Sequence, residues 1–196
     1  MVVAQKENAD MQVLKWKDLR TLPENVMTAK VSQHDTLYKR YENQDGSVGG
    51  FVADDAKIGS NVRIAPRAVV GEEAKLADGV TVGEWTMVGG STRLGAGTVV
   101  GKHATVSGSI GAGVKIGNGV EIFFKAVVED GVTIGDNAKI DAEETIGAGS
   151  TIGSGAVVRK DLKPGTRVPD NAFISWGEGL PVEDEKESQS NLEGGI

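Results

Sequence analysis

An aliphatic residue returns at every sixth position from Val52 onward: Val52, Ile58, Ile64, Val70, Leu76, Val82, Val88, Leu94 and Val100. Four residues after each stands a small or β-branched residue, among them Ala56, Val62, Ala68, Ala74, Val80, Thr86, Thr92, Thr98 and Ala104. The phase slips at Val106-Ser107-Gly108-Ser109, where a hexad lacks two residues. It restarts at Ile110 and runs through Ile116, Ile122, Val128, Ile134, Ile140, Ile146, Ile152 and Val158. Neither the 3.6-residue period of a helix nor the two-residue period of a strand yields six. A short strand followed by a tight turn, repeated, does. The first and fifth positions of each hexad are expected to fill an interior, and Gly, Asn and Asp at the second to fourth positions to supply turns with positive φ.

The pattern divides the chain into an N-terminal arm and cap (1–51), a repeat domain (52–166) and a C-terminal arm (167–196). Apolar residues are scattered through the first arm (Val13, Leu14, Trp16, Leu19, Leu22, Val26, Met27, Val31), and their spacing fits a short helix and an extended strand equally. A stack of repeats needs its first open edge covered. Leu37-Tyr38-Lys39-Arg40-Tyr41, followed by Asp45-Gly46 and Gly49-Gly50, is the expected cover. Phe173, Ile174 and Trp176 are expected to anchor the second arm back on the repeat, and residues from Glu183 onward to be disordered. His34, with no second candidate ligand near it in sequence, reads as a surface histidine.

Composition narrows the function. There are 28 Gly but only 5 Pro in 196 residues, which suits many turns and excludes collagen. Without cysteine, no disulfide framework or thiolate metal site exists. The first ten residues are too polar for a secretory leader, and no apolar run reaches membrane-spanning length. A cytoplasmic protein without membrane contact is the expectation. The net charge is −7. No basic block or basic-aromatic interleaving offsets it, so nucleic acid is not an expected partner.

The tandem [Ile/Val/Leu]-Gly-x-x-[small]-x resembles the hexapeptide-repeat superfamily. The resemblance implies an all-β fold, a left-handed parallel β-helix of about six triangular coils, and homotrimers as the common assembly. Residues 18 apart should then stack on one edge, about one strand spacing of ~4.8 Å apart. Outward sixth positions form columns: a basic one (Lys57, Lys75, Arg93), a mixed one (Arg63, Thr81, Val99) and an apolar one (Val69, Met87, Thr105). The apolar column predicts a covered face. The basic column is a candidate anion site, although a solvated face accounts for it as well.

One corner stands out, because it stacks Arg67, Trp85 and His103, with Pro66, Glu84 and Lys102 beside them. A Trp on an outward turn either anchors a protein contact or walls a small-molecule pocket. A His beside a Glu at a dent is what a general base with an orienting carboxylate requires. The corner thus offers His103 and Glu84 as catalytic candidates and Arg67, Trp85 and Lys102 as substrate-binding ones, with a packed seam between subunits as the other reading. Glu144 falls at an inward position, where a carboxylate is costly, so a distorted hexad, Lys139 or an outside cation is expected there. Phe123-Phe124 on a turn again points to a covered surface.

Residues 155–166, GAVVRKDLKPGT, resemble the closing segment of hexapeptide acyltransferases. That resemblance implies acyl-CoA as co-substrate, held at its phosphates by Arg159 and Lys160. Two departures accompany it: Val168-Pro169-Asp170-Asn171-Ala172 differs from the usual continuation, and no inserted His-bearing loop is present. Carbonic anhydrases of this fold need three His per metal, and the chain has two in all; no metal site is expected. Two functions remain from the sequence: an acyl-CoA-dependent transferase acting on a small hydroxyl or amino acceptor between subunits, and a non-catalytic trimeric interaction module.

Overall fold

The computed structural model describes residues 15–31 and 36–176. His34 and the acidic terminal segment lie outside the described residues. Within them, a short 3-10 helix (Trp16–Thr21) precedes β1 (Thr28–Val31), β2 (Thr36–Glu42) and β3 (Val48–Ala53). β1 and β2 pair antiparallel, as do β2 and β3. From β3 onward the pairings are parallel. The ambiguous spacing of the first arm therefore resolves into both kinds of element.

The repeat domain is the all-β, left-handed parallel β-helix expected from the hexads. Each regular hexad contributes a two-residue strand, and positions one turn apart pair: Val69 with Met87, Lys57 with Lys75, Arg63 with Thr81. Three faces result. The first begins with β3 and ends at Phe173–Ile174, the second begins at Lys57–Ile58, and the third carries seven strands from Arg63–Ile64 to Arg167–Val168. About seven turns are completed, against about six expected. Two of the turns are shortened, and Phe173–Ile174 is a further rung, paired with Val157–Val158. Those two residues extend the helix rather than folding back on it, and Trp176 stays exposed instead of anchoring the arm.

The interior is the predicted one. Ile64, Val70, Leu76, Val82 and their successors at the first hexad position are buried, as are the small residues at the fifth. Where the fifth residue is polar, its hydroxyl bonds to the next turn: Thr86 Oγ1 donates to Gly101 O at 2.6 Å, and Thr98 Oγ1 to Gly111 O at 2.8 Å. Positive φ sits at the fourth position of the hexad, as at Asn61, Glu73, Gly97 and Gly131. The turn thus reverses on one residue, and the second and third positions stay in ordinary conformations.

The slip removes a corner. Thr105–Ile110 runs straight through it as one strand, against the eight-residue strand Glu121–Val128 of the next turn. Val106 pairs with Ile122 and Gly108 with Ala126, so Phe123, Phe124 and Lys125 loop outward. Gly108, at φ 152°, packs so close that a Cβ there would run into the Ala126 carbonyl oxygen. A second shortened hexad, from Val158 to Leu162, cuts the same corner three turns on, where Leu162 bridges to Ile146. That repeat of the slip is visible in the sequence as Leu162 standing four residues after Val158, and a strict six-residue count passes over it.

The N-terminal arm packs on the first face. Leu19, Tyr38, Phe51 and Val69 build a second apolar cluster on the outside of the first face, so the apolar column is covered at its start by the chain's own arm. Arg40 ties the arm down by donating to the carbonyls of Val26, Leu22 and Pro23 at 3.0 to 3.1 Å. Its guanidinium also lies 4.2 Å from the Phe51 ring centre. Asn43, buried, pairs with the first rung of the third face as a strand would: its Oδ1 accepts from Ile64 N–H at 2.9 Å and its Nδ2 donates to Ile64 O at 3.1 Å.

Candidate functional site

The corner between the third and first faces carries Arg67, Trp85 and His103 in successive turns. All three are the fourth residues of their hexads and stand at φ 62°, 61° and 57°. A bulky side chain in that region costs about 1 kcal/mol or more. Side-chain contacts along the column offset it. The Arg67 guanidinium lies 4.9 Å from the Trp85 ring centre, and the His103 ring stacks on the other side of Trp85, with centroids 6.3 Å apart and planes within 4°. Both faces of the indole are thereby occupied.

The N-terminal 3-10 helix locks the top of this ladder. Arg20 donates from Nη1 to Trp85 O at 3.2 Å, and Arg67 donates from Nη1 to Arg20 O at 3.2 Å. Arg20 Nε is buried there without a partner among the described residues. Arg67 and Trp85 are half-buried under this clasp, whereas His103 is exposed. The repeat places the three in one column, but it holds no sign that residue 20 reaches residue 85.

Glu84 and Lys102 are neighbours in the adjoining column, with Lys102 Nζ 3.0 Å from Glu84 Oε2. Residue 84 meets residue 103 through the backbone, His103 N–H donating to Glu84 O at 2.9 Å. The Glu84 carboxylate is thus drawn to the lysine. The corner cut by the slip is not this one but the next along the chain, across the first face from His103.

Beyond His103 the column continues with Gly119, Asn137, Gly155 and Asn171, fixed by the bonds Gly119 N–H to Lys102 O and Asn137 N–H to Asn118 O at 2.8 and 2.7 Å. Gly119 has no side chain, and Asn137 takes up the room this leaves beyond His103 in the column. The Asn137 Oδ1 leans over Gly119, where a Cβ would collide with it. The backbones of His103 and Asn137 stand two strand spacings apart, ~10 Å, and the Asn137 side chain spans part of that distance. Sequence patterning does not single out Asn137, although stepping one shortened turn and one full turn on from His103 finds it.

Arg159 and Lys160 lie three turns beyond His103, about 14 Å along the axis, at the opposite edge of the first face. Arg159 Nε donates to Asp141 Oδ2 at 2.9 Å, and its guanidinium lies 5.1 Å from the Phe173 ring centre. Within one chain the two groups of predicted residues are not brought together; the first face separates them. Glu144, near the second cut corner, is half-buried, and its carboxyl is pushed above the usual carboxylate range by burial and then by Asp161 and Asp141. Lys139 does not serve it, being paired with Glu121 at 3.2 Å. Phe123 and Phe124 are 43% and 62% exposed, so no part of the described chain covers them. Among the described residues no cluster of His, Asp and Glu is arranged to hold a metal ion, and no helix is long and apolar enough to cross a membrane.

The family model described as "Hexapeptide repeat of succinyl-transferase" matches residues 91–123 and 125–142, and the chain carries the hexapeptide repeat. Comparison with curated proteins gives no match. Several solved structures align with part of the chain. LpxA from Acinetobacter baumannii is 17% identical over 63% of this chain and 61% of its own, with a TM-score of 0.41. PerB from Caulobacter crescentus, solved with CoA and GDP-perosamine, is 19% identical over 60% of this chain and 49% of its own, with a TM-score of 0.29. The acetyltransferase domain of PglB from Neisseria gonorrhoeae, solved with acetyl coenzyme A, is 21% identical over 62% of this chain and 54% of its own, with a TM-score of 0.28. The chain spans less than two thirds of the length of each of these three structures.

Proposed function

We propose that the chain is an acyl-CoA-dependent transferase of the hexapeptide-repeat type that acylates a small hydroxyl or amino acceptor where copies of the chain meet, as a trimer. The observation that carries this reading is His103: an exposed imidazole stacked on Trp85, with Asn137 Oδ1 reaching over Gly119 toward its other side. In that role His103 takes the acceptor's proton as general base while the acceptor attacks the thioester carbonyl; the C–S bond then breaks and the CoA thiolate leaves, taking the proton from the imidazolium. Trp85 and Arg67 hold the imidazole in place from behind, Lys102 and Glu84 flank the acceptor, and Asn137, reaching over Gly119, offers it a hydrogen bond. Arg159 and Lys160, further along the first face, meet the CoA phosphates, so the co-substrate lies extended along that face. The description of the repeat as that of a succinyl-transferase agrees with acyl transfer.

A second reading has its own observation. The clasp of Arg20 on Trp85 and the pairing of Glu84 with Lys102 use these residues to seat the arm and tie turn to turn, which is what a non-catalytic interaction module would do with them. The readings separate in a calorimetric titration of acetyl-CoA and CoA into the full chain, beside His103→Ala and the double variant Arg159→Ala/Lys160→Ala. The transferase requires saturable binding that the double variant loses by about tenfold or more, ~1.4 kcal/mol, and that His103→Ala retains. A folded protein that shows no heat at millimolar CoA overturns it in favour of the interaction module.

A further inference from the structure

Much of the helix pairs its cations by a simple rule. Lys102 with Glu84, Lys125 with Glu143, Lys139 with Glu121 and Arg159 with Asp141 each join one turn to the next at 2.9 to 3.2 Å. Lys57, Lys75 and Arg93 break it together. They stack in register on the second face, exposed, and among the described residues none makes an ion pair. Three like charges about 4.8 Å apart repel one another, and nothing in their own column relieves them, since it continues with Ser109.

A second column runs parallel two positions upstream, on the corner: Asp55, Glu73 and Ser91. Its residues are tied to one another, with Asp55 Oδ1 accepting from Glu73 N–H at 3.0 Å and Glu73 Oε2 from Ser91 Oγ at 3.1 Å. Together the two columns enclose a trough of about 270 Å³, lined by Asp55, Lys57, Glu73, Lys75, Ser91 and Arg93. One wall presents cations at each turn and the other presents hydrogen-bond acceptors.

We propose that this trough binds a short stretch of an acidic polysaccharide, with uronate carboxylates on Lys57, Lys75 and Arg93 and sugar hydroxyls donating to Asp55, Glu73 and Ser91. A polyuronate carries one carboxylate and several hydroxyls per sugar, so it offers anions to the cationic wall and hydrogen-bond donors to the other. A phosphate chain has no hydroxyls to offer the acidic wall and is repelled by it. Single-stranded nucleic acid needs aromatic platforms, and neither column has one. The inference is independent of the transferase reading, because the trough lies across a different corner from His103.

The test is titration of trigalacturonate into the full chain at low salt, with maltotriose as the neutral sugar and tripolyphosphate as the sugar-free polyanion. Saturable binding of trigalacturonate, about tenfold or more tighter than either control, is the expected result. Lys75→Gln/Arg93→Gln should weaken it at least about tenfold, whereas Lys115→Gln on the third face should leave it within about twofold. Asp55→Asn/Glu73→Gln should weaken trigalacturonate and strengthen tripolyphosphate. All these positions are exposed, so the fold survives the changes. The proposal is overturned if tripolyphosphate binds as tightly as trigalacturonate, if maltotriose does, if the lysine–arginine variant binds unchanged, or if no saturation occurs by about 10 mM, a level weaker than specific recognition.

Discussion

Glu144 is the residue whose chemistry departs furthest from its place in the pattern. It holds a position that elsewhere takes small or β-branched residues, and the fold keeps it half-buried beside Asp141 and Asp161. Its carboxyl is raised in the folded state, so the folded chain holds the proton more tightly than the unfolded one does. Stability from this group is therefore full below the ordinary glutamate range and is lost as pH rises through the raised value. Glu144→Gln should melt at the same temperature as the parent at about pH 4 and at a higher one at about pH 7; a constant difference across that range would show that the carboxylate is not the source. The opposite case is Asp45. Its hydrogen bonds from Ser47, and then the Arg63 guanidinium, hold its carboxyl well below the usual range, so its contribution disappears only in strong acid.

At the scale of elements, two shortened hexads decide the shape of one edge. At the first, Thr105–Ile110 crosses with two residues fewer than Glu121–Val128 takes, and Phe123, Phe124 and Lys125 loop outward opposite the single Ser107. Gly108 permits this, because both its φ and its approach to Ala126 exclude a side chain. Gly108→Ala should cost about 2 kcal/mol, within the range of overpacked and strained sites, read as a shifted urea midpoint with an unchanged slope. A cost below ~0.5 kcal/mol, the size of an ordinary surface change, would mean that the edge relaxes freely. The period of six was legible because the same contact recurs at every turn. What the missing residues do was not, since it depends on which of two facing strands absorbs the mismatch.

For the whole molecule, each turn touches only the turns before and after it, so stability is a sum along one axis and an end matters more than its size suggests. The cap supplies the first turn's missing neighbour: Asn43 bonds Ile64 at both backbone groups, and Arg40 gathers the carbonyls of the arm. Asn43→Leu leaves those buried groups unpaired, a cost of about 1–3 kcal/mol. Amide exchange should then speed up in the first turns, around residues 63–82, while the turns around 133–152 stay protected. Uniform acceleration along the whole stack would instead indicate a single cooperative unit.

The sequence by itself determined the winding, the interior and the stacking of Arg67, Trp85 and His103, because these follow from a repeat in which each contact is made again one turn on. Tertiary structure alone decided what those residues do once stacked. Arg20 reaches Trp85 from far along the chain, the Glu84 carboxylate turns to Lys102, Asn137 reaches over Gly119, and acids line up beside Lys57, Lys75 and Arg93. Each of these is a contact between particular side chains of different turns or of arm and turn, made once and set by direction in space, and a period along the chain carries no record of it.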